Sequence, residues 1–77
     1  MMTLGELAAV LRWADAEADG AGYWLNVTLK SGVVVRGPHY GLPHDYCFQI
    51  DTSAAGDPVD RVFISVAEIA AIGVELS

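Results

Sequence analysis

The sequence predicts a mainly β fold: an N-terminal α-helix followed by a five-stranded, strongly bent antiparallel barrel, in one domain over residues 1–77 (helix 3–18, barrel 23–76). Three observations predict it. The opening residues carry apolar side chains at helical spacing between a capping signal and a glycine stop. From Tyr23 onward the pattern changes to short alternating or β-branched runs, separated by turns rich in Gly and Pro. Within this β region, Gly37 lets a strand bend sharply, as a small barrel requires at its corners.

Thr3 followed by Glu6 is a capping box, in which the hydroxyl accepts one orphan N–H and the carboxylate reaches back for another. Leu4, Leu7, Ala8, Leu11, Ala14 and Ala18 then recur on one helical face, and Gly20 is the expected left-handed cap. At roughly 100° per residue, Trp13 points away from Leu4 and Leu11. It is either tucked under a loop or part of a subunit or partner contact, since exposed aromatics mark interfaces.

Tyr23 to Lys30 alternates strictly, with Leu25, Val27 and Leu29 on one face and Trp24, Asn26, Thr28 and Lys30 on the other. Ser31-Gly32 turns the chain into a β-branched second strand, Val33 to Arg36, ending at the bend glycine Gly37. Pro38 to Asp45 contains two prolines and Gly41 and reads as loop. Tyr46 to Thr52 alternates again, Ser53 to Pro58 is a second loop, and Arg61 to Ser65 is a fourth strand. Val66-Ala67-Glu68 is too short for a helix and makes one tight turn before a fifth strand, Ile69 to Leu76. A helix followed by five short strands suggests an SH3-like barrel closed on itself.

At 77 residues a single core only just suffices, yet 53% of the side chains are hydrophobic and only 18% charged. Disorder is excluded on that balance, and so much apolar surface in so small a chain points to a homo-oligomer. Ten carboxylates face four basic residues, Arg12, Lys30, Arg36 and Arg61, a thin footprint for nucleic acid. The single cysteine, Cys47, permits no intrachain disulfide. With neither a basic leader nor a membrane-length apolar stretch, a cytoplasmic location is expected.

The strand order and glycine placement resemble the Sm/LSm-like (Hfq-like) family of small β-barrels, over about Tyr23 to Leu76. Gly32 and Gly37 are spaced like that family's paired glycines, and Gly41-Leu42 falls where a small and an apolar residue follow. Asp45-Tyr46-Cys47-Phe48-Gln49 is similar to its Asp-x-x-hydrophobic-Asn segment, displaced as if Pro43-His44 were inserted. Val62-Phe63-Ile64 and Ile69-Ala70-Ala71-Ile72 match the two apolar runs of its second motif. The chain departs from the family at Gln49, which replaces Asn, and at Ser65-Val66, which replaces Arg-Gly; the Lys-His pair of the Hfq-like branch is also missing.

The resemblance implies rings in which the fourth strand of one subunit adds to the fifth of the next. It also implies a single-stranded RNA site near Gly37, His39, Tyr40, Asp45, Phe48, Gln49 and Ser65. The residues themselves make the strand edges the clearer feature. Val62, Phe63, Ile64, Ile69 and Ile72 lie in runs without the lysines or prolines that blunt an exposed edge.

Other chemistry is faint. His39, His44, Asp45 and Cys47 fall within nine residues, and each is a metal-ligand type, but their spacing fits no zinc pattern. Both histidines are expected in a surface loop, with Cys47 a small hydrophobe and neither metal nor cofactor bound. A Cys-His nucleophile is conceivable from the same residues, yet no oxyanion hole or orienting third group is readable, so no enzymatic activity is expected. Trp24 shares its face with Lys30, a weak stacking signal for single strands. The expected role is a self-assembling scaffold that binds a protein or peptide partner through Trp13 and the Pro38–Asp45 loop. The alternative is an Sm-type RNA-binding ring.

Overall fold

The computed structural model describes residues 1–43 and 47–76. One helix, α1 (Leu4–Ala18), precedes five strands: β1 (Tyr23–Leu29), β2 (Val34–Gly37), β3 (Cys47–Ile50), β4 (Val62–Ser65) and β5 (Ile69–Leu76). The fold is therefore mainly β with all pairing antiparallel.

The helix starts as its sequence dictates. The Glu6 N–H donates to Thr3 Oγ1 at 3.1 Å, and the Thr3 N–H donates to Glu6 Oε1 at 2.8 Å. These bonds hold the Glu6 carboxyl below its ordinary range, the backbone bond from Thr3 being the larger cause. Leu7, Leu11 and Ala14 are buried, but Leu4 is exposed. Its expected place on the core is taken by Met2, which packs on the core cluster that holds Leu7. Met2 and Leu7 stand at the two staple positions that fix the chain's entry into a helix. The stop also differs by one residue. Asp19 is the left-handed cap, with φ 49° and its N–H donating to Asp15 O, and Gly20 follows at φ 89°. Asp is among the few non-glycine residues that tolerate this conformation.

Strand β1 is the centre of a three-stranded sheet ordered β2-β1-β5. Leu25 and Val27 are fully buried and pair on one side with Gly37 and Val35, on the other with Val74 and Ile72. The turn at Ser31-Gly32 is closed by Leu29 N–H to Val33 O at 2.9 Å, with Gly32 at φ 91°. Strands β3 and β4 form a second ladder in which Phe48 pairs with Ile64 and Ile50 with Val62. The turn Val66–Glu68 before β5 is a short 3₁₀ segment, as expected, and the loop after β3 contains another at Thr52–Ala55.

Gly37 joins the two ladders. Beyond it the Asp51 N–H donates to Pro38 O at 2.9 Å, the Tyr40 N–H donates to Gln49 O, and His39 bridges Ile50 in antiparallel register. Gly37 has φ 153°, and a Cβ there would sit 2.2 Å from the Asp51 carbonyl oxygen, so only glycine fits. The strands thus follow one another as a bent ribbon, β5-β1-β2-β3-β4. It encloses a core from α1 and all five strands, with Phe48, Leu7, Leu25 and Ile50 among its fully buried members. The expected closure of the barrel is not found: among the described residues, β4 pairs only with β3, and β5 only with β1.

Candidate functional site

The open ends of the ribbon are the first candidate. Edge strands normally carry charge, proline or a cover, because their unpaired N–H and C=O groups template further pairing. Strand β4 has no charged residue, and β5 has only Glu75. That carboxylate is held on the sheet's outer face. It accepts from Arg36 Nε at 2.6 Å, Arg36 Nη2 at 2.9 Å and Asn26 Nδ2 at 2.7 Å. The Arg36 bond, and then the Asn26 bond, lower the Glu75 carboxyl below its ordinary value. Of the predicted edge residues, Ile64 and Ile69 contribute their backbones to the edges while their side chains lie in the core. Val62 and Ile72 are half-buried, and Phe63 is 62% exposed.

Trp13 lies beside β5. It lines an open apolar groove of about 500 Å³ with Ala9, Val10, Ile72 and Val74, and is 54% exposed. It is therefore part of an accessible surface between α1 and the free edge of β5, and among the described residues no loop closes over it.

The predicted ligand loop separates into two groups. At the surface, the Arg61 guanidinium stacks 4.0 Å from the centroid of the exposed Tyr40 ring, and its Nη1 donates to Gln49 Oε1 at 2.9 Å. Beneath, Phe48 is fully buried and Gly37 is a backbone element, so neither offers a surface contact. Ser65 is exposed at the far end of β4, opposite Cys47, two pairs along from Gln49 and Phe63. Asp45 and His44 lie outside the described residues. Among the described residues no group of three or more His, Cys, Asp or Glu is arranged to hold a metal ion.

His39 sits between these layers and has a role that spacing did not suggest. The Gly41 N–H donates to its Nδ1 at 2.8 Å, so Nε2 carries the ring proton and donates to Tyr23 Oη at 2.8 Å. Tyr23 Oη–H in turn donates to Asp15 Oδ1 at 2.6 Å. The ring is flanked by Tyr23 and Phe48, with centroids 5.4 and 5.7 Å away. Burial pushes the His39 pKa down, the Asp15 charge opposing, while burial and then the Asp15 bond push Tyr23 up. The chain of bonds ties α1, β1 and the loop after Gly37 into one unit.

On the outer sheet face, Arg36 rather than Lys30 stacks on Trp24, 4.6 Å from the ring centroid. Strand alternation alone gives Trp24 and Asn26 a common face. Finding Arg36 and Glu75 beside them required the registers Asn26↔Arg36 and Trp24↔Glu75.

Compared with protein-family models, characterised proteins and solved structures, the chain finds no match in any of the three. Among the described residues, no helix is long and apolar enough to cross a membrane.

Proposed function

We propose that this protein is a non-enzymatic, self-assembling module of Sm-like type, a divergent one, whose copies join head to tail into a ring that scaffolds a protein or peptide partner. The observation that carries the reading is the pair of uncharged or charge-neutralised strand edges at the two ends of one bent ribbon. A β4 edge and a β5 edge are different surfaces, so their contact is heterologous, and repeated copies close into a ring when the rotation permits. The apolar excess of a 77-residue chain supports the same reading. In such a ring the barrel's open side is covered by a neighbour. The partner's surface is the loop carrying Tyr40 and Leu42, both about half exposed.

The competing reading is an Sm-type ring binding single-stranded RNA, and the Arg61–Tyr40 stack beside Gln49 is the observation that favours it, since aromatic and guanidinium planes receive bases. The charge balance opposes it. The net charge is −6, and Arg36 is bonded twice to Glu75.

Size-exclusion chromatography with light scattering tests both, run alone and with labelled poly-uridine or poly-adenine oligonucleotides at low and moderate salt. A ring-sized particle that leaves the oligonucleotide free is the expected result. Salt-sensitive co-elution would replace the scaffold with the RNA reading, and a monomer at every concentration would refute both.

A further inference from the structure

Resting on that self-assembly reading, we infer that Phe63 of one copy fills the groove beside Trp13 of the next. These are two large hydrophobic side chains left mostly in solvent, 62% and 54% exposed, each next to a strand edge that is unpaired among the described residues. Strand order decides that they meet. Along β5-β1-β2-β3-β4 every neighbour is antiparallel, so the two end strands run in the same direction. A second copy that adds its β4 antiparallel to β5, the pairing used throughout this chain, must therefore be turned over relative to the first. The side of β4 facing outward in its own subunit then lies on the side of β5 that faces inward in the next.

The residues on those two sides fit each other. On β4 the inward side chains are Val62 and Ile64, paired with Ile50 and Phe48, which leaves Phe63 facing outward. On β5 the inward side chains are Ile72 and Val74, paired with the buried Val27 and Leu25, and these two line the groove with Ala9, Val10 and Trp13. On the other side of β5, the exposed and small Ala71 and Gly73 leave room for the body of the incoming subunit. Charge is complementary as well. Arg61 shares the outward side with Phe63 and is carried toward α1, where Glu17 stands one turn beyond Trp13.

Cysteine cross-linking in a Cys47→Ser background tests the contact. Phe63→Cys is combined with Ile72→Cys or Val74→Cys on the inward side, or with Ala71→Cys or Gly73→Cys on the outward side. Mild oxidation is expected to give covalent oligomers with an inward partner and few with an outward one; equal yields or the reverse preference overturn the inference. Light scattering on the Cys47→Ser parent separates the two levels. A parent that is monomeric refutes assembly itself, whereas an assembled parent without the inward preference refutes only the Phe63 contact.

A second readout needs no cysteine. In Trp24→Phe, where Trp13 is the remaining tryptophan, emission shifts to the blue as the particle forms. Phe63→Ala removes that shift and weakens assembly about tenfold, the usual scale for a lost aromatic contact. An unchanged shift refutes the contact.

Discussion

The His39 relay makes stability depend on pH in the range where an imidazole titrates, and His39 is the histidine among the described residues. In the unfolded chain His39 titrates near its ordinary value of about 6.5. In the folded chain its pKa is lowered, because burial of the ring disfavours its charged form and outweighs the opposing pull of the Asp15 carboxylate. Below about pH 6.5 the unfolded state therefore binds the proton first, and acidification pulls the equilibrium toward it. Stability is full above the unfolded value and falls as the pH drops through it toward the lower folded value. The perturbation is His39→Gln, which keeps a polar side chain but removes the ring and its titration. At pH 7.5 the variant loses ring packing between Tyr23 and Phe48 and part of two hydrogen bonds, a cost of about 1–2 kcal/mol. Urea denaturation at one protein concentration, at pH 7.5 and pH 5.0, measures both effects. Wild type should weaken between the two while the variant holds level, so their curves approach each other. The carboxylates with lowered values, Glu6, Asp51 and Glu75, titrate below this window and do not imitate the effect. Parallel wild-type and variant curves, or a wild type that strengthens in acid, would refute the reasoning.

Two further changes test the frame. Gly37→Ala drives a Cβ against the Asp51 carbonyl at a φ that side chains rarely adopt. It should cost about 3 kcal/mol or more, separating the two ladders, and a thermal melt indistinguishable from wild type would contradict the joint described here. Thr3→Ala removes the hydroxyl of the capping box and should cost about 1 kcal/mol in chemical denaturation, with the folded circular dichroism spectrum retained.

The local part of this fold is legible in the sequence, and the long-range part is not. The capping box, the alternation of β1 and the turn Val66–Glu68 depend on residues within one turn or one strand of each other. Leu4 fails as a core residue because periodicity fixes a face without saying where the core begins, and the staple placed Met2 there instead. Phe48 illustrates the same limit at the candidate site. The resemblance of Asp45–Gln49 to the Sm-like segment implies a ligand contact for it, but its strand turns it inward, fully buried and paired with Ile64. The His39–Tyr23–Asp15 relay and the Arg36–Glu75 pair join residues from separate elements, so no spacing rule reaches them. The open edges lie between these extremes. Their lack of charge is written in the sequence, but which edges remain unpaired follows only from the sheet order.

The central place of β1 also sets the order in which the chain assembles itself. Its contact with β2 closes a short loop, Thr28 meeting Val34, whereas its contact with β5 brings Thr28 to Ala71. That second loop is longer by nearly three doublings, roughly 1.7 kcal/mol of extra closure entropy, and its ladder is rewarded only after the closure. The hairpin thus has time to form while the flank of β1 destined for β5 is still bare, with Leu25 and Val27 not yet covered by Val74 and Ile72. During that interval the β5 of a neighbouring chain can compete for the same flank, so strand exchange between chains is the expected side reaction of refolding at high concentration. Dilution during refolding favours the chain's own strand, because self-closure does not depend on concentration and exchange does.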